Sequence, residues 1–160
     1  MIKLSPKFKD FLLTETKRDY LEGTTAAGKT TVGITKFMLM VAKSEKKYHL
    51  LCGLDLGTVE KNVINSECGL LAQFGMLAKY YSNGKGIIGL PHIVYVTPKG
   101  EKIIYVSGYD NKNRWEKVLG AQYGCVYIDE VNIADMDFLH TSLPIHDDDK
   151  QSGCTGQAGV

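Results

Sequence analysis

Apolar positions along the chain change their period several times, and each change marks an element. Phe8, Phe11, Leu12 and Leu13 form an apolar cluster in a polar, basic start and predict a short lead-in helix, followed by a brief strand over 19–22. Ile34, Phe37, Met38 and Val41 recur at helical spacing and predict a helix from Thr30 to about Ser44. Residues 48–55, YHLLCGLD, form a short apolar run of the kind found in a parallel strand covered on both faces. Val59, Val63, Ile64 and Leu71 share one helical face and predict a helix over 58–75. A loop is expected over 82–89. Two β-branched and aromatic runs between 92 and 108 flank Thr97-Pro98-Lys99-Gly100, a hairpin with proline placed to start the turn. A short helix over 111–120 ends at Gly120, a strand over 124–130 closes on two carboxylates, and 134–140 opens a further helix.

Strands alternating with helices, plus one hairpin, predict a three-layer α/β fold with a mainly parallel sheet and an inserted β-hairpin. Residues 1–143 are read as one domain. From Pro144 the chain is polar and glycine-rich, and 144–160 is expected to be a disordered tail. The chain has 160 residues, 44% of them hydrophobic and 23% charged, and a formal charge of +1. That composition suits a globular domain and neither demands nor excludes a nucleic-acid partner. The four cysteines form no C-x-x-C pair and the histidines show no metal-ligand spacing, which argues against a zinc site or a disulfide framework. No apolar run is long enough to span a bilayer and none resembles a signal peptide, so the expected setting is a reducing cytoplasm without membrane contact.

The chemistry begins at EGTTAAGKTT, residues 22–31, where Gly23, Gly28, Lys29 and Thr30 fit the spacing G-x-x-x-x-G-K-[ST]. Glycines let the backbone turn its N–H groups inward, and the helix that follows adds its N-terminal dipole. Gly23, Thr24, Thr25, Ala26, Ala27, Gly28, Lys29, Thr30 and Thr31 would then wrap a nucleotide's phosphates, with Lys29 reaching the β- and γ-phosphates and the Thr30 hydroxyl ligating Mg²⁺. This P-loop sits between a predicted strand and an apolar-faced helix, as its mechanism requires. The second element is VYIDE, 126–130. Asp129, ending a buried strand, can hold the metal's water shell. Glu130 can polarise an attacking water, a role a kinase does not need, so the pair favours ATP hydrolysis over phosphoryl transfer to a substrate.

Transition-state charge in such hydrolases is often met by an arginine, and the chain has two, Arg18 and Arg114. Either is a surface cation on its own merits. Lys79, Lys85, Lys99, Lys102, Lys112, Arg114 and Lys117 face three acidic residues in the same window, a surplus able to meet a phosphate backbone without reading sequence.

Taken with the loop and the hairpin, LGAQYGCVYIDEVNIAD (119–135) resembles the ATPase domain of tailed-phage terminase large subunits, over about Leu4 to Phe138. The resemblance implies an ATP- and Mg²⁺-dependent motor that packages double-stranded viral DNA in the bacterial host cytoplasm. It also implies assembly as a homo-oligomeric ring on a portal protein, with a small terminase subunit as partner. It assigns Lys29 and Thr30 to phosphate and metal, Asp129 to the metal side and Glu130 as catalytic base. Many loops of the family carry an arginine where this chain has Thr25, so the arginine would be Arg18, Arg114, a neighbour's, or missing altogether. The family continues into a sensor strand, a linker and a nuclease domain. Here the apolar stretch 138–145 follows Glu130 too closely for a helix and then that strand. The expectation is therefore a truncated domain, its sheet incomplete between the loop strand and the Asp-Glu strand, and no nuclease site. Two rivals remain: a helicase-like DNA-translocating ATPase, and an inert remnant that binds nucleotide without turning it over.

Overall fold

The computed structural model describes residues 5–16, 18–22, 28–82, 89–110, 116, 118, 122–130 and 134, and the backbone of 154–158. Its strands are β1 (Arg18–Leu21), β2 (Tyr48–Gly53), β3 (Ala78–Tyr81), β4 (His92–Thr97), β5 (Gly100–Gly108), β6 (Cys125–Asp129) and β7 (Cys154–Ala158). Its helices are α1 (Pro6–Leu13), α2 (Lys29–Lys43), α3 (Leu56–Thr58), which runs on into a wider turn over Val59–Ile64, and α4 (Leu70–Phe74).

All seven strands form one open sheet in the order β1-β7-β6-β2-β5-β4-β3. The first five in that order run parallel; β4 then pairs antiparallel with β5, and β3 antiparallel with β4. β2 lies at the centre, with His49 to Gly53 all buried, which is why its sequence is an unbroken apolar run rather than an alternating one. Alternation reappears in what each face touches. Leu51, Ile104, Val106, Cys125 and Tyr127 meet α2, the turn after α3, and α4, through Ile34, Phe37, Met38, Val41, Val63, Ile64 and Leu70. Leu50, Cys52, Val126 and Ile128 face the other way and are covered by Tyr109, Val118 and Tyr123.

α2 is the main helix against the sheet. Its apolar stripe is buried, and its C-terminal carbonyls are capped by lysines from β5 and the turn before it: Lys99 Nζ donates to the Lys43 carbonyl (2.7 Å) and Lys102 Nζ to that of Ser44 (2.7 Å). Gln73 of α4 accepts from Thr35 Oγ1 (2.6 Å) and donates to the Thr31 carbonyl, tying α4 to the start of α2.

Three expectations change. The helix expected over 58–75 is broken. The Asn65 N–H bonds the Glu60 carbonyl, a five-residue step that widens the turn, and at Gly69 the chain passes so close to the Val63 carbonyl that a Cβ would lie 2.7 Å from it. A strand at β3 was not expected. It makes the expected hairpin of β4 and β5 a three-stranded antiparallel extension. The slot between β1 and β6, expected to be empty, holds β7, parallel to both. Residues 154–158, assigned above to a disordered tail, are therefore a strand, because two edges with unpaired backbone groups flank that slot. The remainder of 144–160 lies outside the described residues, as do the helices expected over 134–140, save Ala134, and over 111–120, save Glu116 and Val118.

Candidate nucleotide site

The carboxyl ends of the parallel strands lie level. Leu21 pairs with Ala158 and Ala158 with Asp129, so the chain leaves β1 for the glycine loop at the edge where β6 ends in Asp129. Ligands of open parallel sheets bind along this edge. Gly28 has φ +75°, a left-handed conformation that disfavours any residue with a Cβ, and from it α2 starts with no side-chain cap. The N-terminal end of such a helix favours a negatively charged group. Residues Gly23 to Ala27 lie outside the described residues.

Lys29 and Thr30 form the first turn of α2. Thr30 and Lys29 both lie near enough to Asp129 to favour its charged carboxylate. Tyr127, fully buried and packed on Phe37 with ring centroids 5.7 Å apart, donates from its hydroxyl to Asp129 Oδ1 (3.4 Å). Burial, then the neighbouring Glu130 carboxylate, pushes Asp129 up to about 6, while Tyr127, Thr30 and Lys29 pull it back only in part. A carboxylate so placed is short of positive charge. A divalent cation held by Thr30 and Asp129 would supply it, and the donor set, one hydroxyl and one carboxylate, is the all-oxygen kind that suits Mg²⁺.

Glu130 follows at φ +54°, the one non-glycine with positive φ among the described residues, and its side chain is exposed. The buried Tyr109 hydroxyl donates to the carbonyls of Glu130 (2.9 Å) and Asp129 (3.3 Å). Gly53, at the end of β2, lets the turn after α3 come close. A Cβ there would meet Val59 Cγ2 at 2.5 Å and the Asp129 Cβ at 3.8 Å, so the residue beside Asp129 has to be small.

Of the residues expected to act together, Lys29, Thr30, Asp129 and Glu130 converge. Thr31 follows them in α2, its carbonyl held by Thr35 Oγ1 (2.8 Å). Arg18 does not converge. It pairs with Thr155, which is level with Val126, so it lies at the opposite end of β1, three residues or roughly 10 Å from the carboxyl edge. Arg114 is outside the described residues. The basic window also changes. Lys102 is 3% exposed, its ammonium held by the carbonyls of Ser44 and Lys46, and Lys99 is engaged by Glu45 and the Lys43 carbonyl. Neither is free to meet a phosphate, because both cap the end of α2. Lys79 remains exposed on β3, and the other four lie outside the described residues. Tyr109 and Tyr127 escape a reading of the sequence, since a tyrosine in an apolar strand looks like any other core residue.

The fold is an α/β domain on a mainly parallel sheet, with a glycine-led helix after the first strand and an acidic pair at the end of the strand two places away in the sheet. More particularly, it matches solved structures of the large terminase from a thermophilic bacteriophage. One crystal form superposes with a TM-score of 0.78 at 14% identity, covering 99% of this chain and 39% of that one. The same terminase in complex with ADP gives 0.70 at 18% identity, covering 98% and 35%, and in complex with ATP-γ-S 0.65 at 16%, covering 98% and 34%. This chain thus spans little more than a third of the terminase it matches. No protein-family model matches the sequence, and no curated protein does. No helix among the described residues is long and apolar enough to cross a membrane.

Proposed function

We propose that the chain is the ATP-hydrolysing motor domain of a phage terminase large subunit, acting in the packaging of double-stranded viral DNA in the bacterial cytoplasm. The observation that carries this is the convergence on Asp129, at the end of β6, of Thr30 and Lys29 from the start of the loop helix and of Glu130. The two halves of the motif are far apart in sequence, and the sheet brings them to the same strand edge, where ligands of open parallel sheets bind. The fold match to a terminase solved with ADP and with ATP-γ-S supports the same ligand class.

In this reading the loop backbone and the first N–H groups of α2 bind the phosphates, and Lys29 neutralises them. Mg²⁺, held through Thr30 and Asp129, would draw charge from the γ-phosphate oxygens. Glu130 orients and deprotonates the attacking water. With Arg18 at the wrong end of β1, the transition-state arginine is Arg114 or comes from a neighbouring subunit of a ring. DNA contact is to the backbone, through Lys79 and the basic residues around 112–117. Portal protein and small terminase subunit are the partners that fit.

Lys29→Ala should sharply weaken ATP–Mg²⁺ binding by the purified chain. Glu130→Gln should bind ATP as the parent does and lose hydrolysis by roughly 10²-fold or more. Parental hydrolysis in Glu130→Gln would remove that residue from the chemistry, and nucleotide binding without turnover in the parent would favour the inert remnant. Affinity for unrelated DNA duplexes should fall together as salt rises. Strong sequence discrimination at moderate salt would contradict backbone contact.

A further inference from the structure

Glu130 sits in a backbone conformation that residues with a Cβ adopt rarely, and such departures persist only where surrounding groups hold them. Among the described residues, the hydroxyl of Tyr109 bonds the carbonyl of Glu130 itself. Tyr109 is 6% exposed, its ring packed with Leu50, Cys52, Val126 and Ile128 under β6. From there its hydroxyl reaches two successive carbonyls, those of Asp129 and Glu130. Its own backbone is fixed as firmly: the Tyr109 N–H donates to the Gly53 carbonyl (3.0 Å) and the Asp110 N–H to that of Leu54 (2.9 Å), joining the end of β5 to the end of β2. Burial and the carboxylates of Glu130 and Asp129 hold the phenol well above its ordinary pKa, so it stays a donor.

We propose that Tyr109 is a positioning residue for Glu130, its hydroxyl fixing the left-handed turn after Asp129 that sets the direction of the Glu130 carboxylate relative to Asp129. Without that hydroxyl the peptide after Glu130 can relax toward extended geometry. Its carbonyl then swings away and the carboxylate moves with it. The strand end that carries Tyr109 therefore governs the turn that carries the catalytic base, and hydrolysis is tuned from β5 without any contact between Tyr109 and nucleotide. This rests on the hydrolase reading above.

The test is Tyr109→Phe, which keeps the ring and removes the hydroxyl, made in the full chain both alone and with Glu130→Gln. The readouts are ATPase kcat and KM, binding of a non-hydrolysable ATP analogue, and the melting temperature. Expected is a loss of kcat of roughly tenfold to 10²-fold, as for a misplaced catalytic group, with analogue affinity within about twofold of the parent. In the Glu130→Gln background Tyr109→Phe should cause no further loss, because it acts only through that carboxylate. Parental kcat in Tyr109→Phe, or the same fold-loss in both backgrounds, overturns the inference. So does a lowered melting temperature with kcat and analogue affinity falling in proportion, the result of a merely structural role. If Glu130→Gln alone keeps parental hydrolysis, Glu130 is not the base and this inference falls while ATP hydrolysis stands; if the parent binds nucleotide without turnover, the hydrolase reading falls and this inference with it. If Glu130→Gln is inactive and Tyr109→Phe is not slowed, only this inference falls.

Discussion

His49 shows how one buried side chain makes stability depend on pH. It lies on β2 with no exposed surface; Nδ1 accepts from the Cys125 N–H (3.1 Å) and Nε2 donates to the Lys46 carbonyl (3.1 Å), which fixes a neutral tautomer. Burial, with help from the nearby Lys102 charge, depresses its pKa to about 4. The unfolded chain titrates near the ordinary value of about 6.5. Between these values the unfolded state is protonated and the folded state is not, so the unfolded state binds more protons and stability rises with pH. The contribution is fully present above about 6.5 and is lost as pH falls toward 4, amounting to about 3 kcal/mol. Urea unfolding of the parent and of His49→Leu between pH 4 and 7 should give curves that converge on the acid side. Parallel curves would show that His49 does not titrate on unfolding. Nothing in the sequence singled out this histidine, because the strand register that sets Cys125 beside it is decided by pairing far along the chain.

Elements join through a second buried polar contact. Asp19 of β1 and Lys36 of α2 are 8% and 4% exposed, with Oδ2 and Nζ 2.8 Å apart and the ammonium 4.1 Å from the Phe11 ring centroid of α1. Neither atom makes a well-aligned hydrogen bond among the described residues, so the attraction is mainly between the charges themselves. Removing one partner leaves the other charge buried and alone, and Lys36→Met or Asp19→Leu should each destabilise by about 3–5 kcal/mol. The double substitution should recover most of the loss, since two apolar groups leave no charge stranded. Additive losses in chemical denaturation would argue against coupling. The elements themselves were legible to different degrees. α2, β2, β6 and the hairpin carry strong period or composition signals, and they appear within a residue or two of expectation. The helix over 58–75 had the right apolar face, but spacing alone does not reveal that Asn65 to Gly69 must turn sharply under α2. β3 is four residues, AKYY, too short to show a period, and it exists because the outer edge of β4 offers it partners. β7 is rich in small and polar residues and has no strand signature at all; its place comes from the two edges beside it.

At the scale of the molecule, the meeting of Lys29, Thr30, Asp129 and Glu130 could be anticipated from sequence because the proposed chemistry would dictate their residue types and spacing. The two tyrosines that hold the pair could not, since only the fold brings them there. The sheet makes a further expectation testable. Deleting 151–160 removes β7 and leaves β1 and β6 roughly 10 Å apart with unpaired edges. Each buried unpaired group costs about 1–3 kcal/mol against a total stability of about 5–15 kcal/mol, so the deletion should lower the melting temperature by roughly 10 °C or more, or abolish a cooperative melt. An unchanged melt would show that β7 contributes nothing to the sheet. The same topology dictates an order of assembly. β1 reaches the sheet only through β7, and their pairing joins Arg18 to Thr155, so the first strand waits for the seventh. Contacts so distant in sequence form late and slowly. The glycine loop leaves from β1, and it can be held against Asp129 only once that wait is over. Recovery of nucleotide binding during refolding should therefore lag the recovery of far-ultraviolet circular dichroism, so that the capacity to hold nucleotide reports that the last strand is in place.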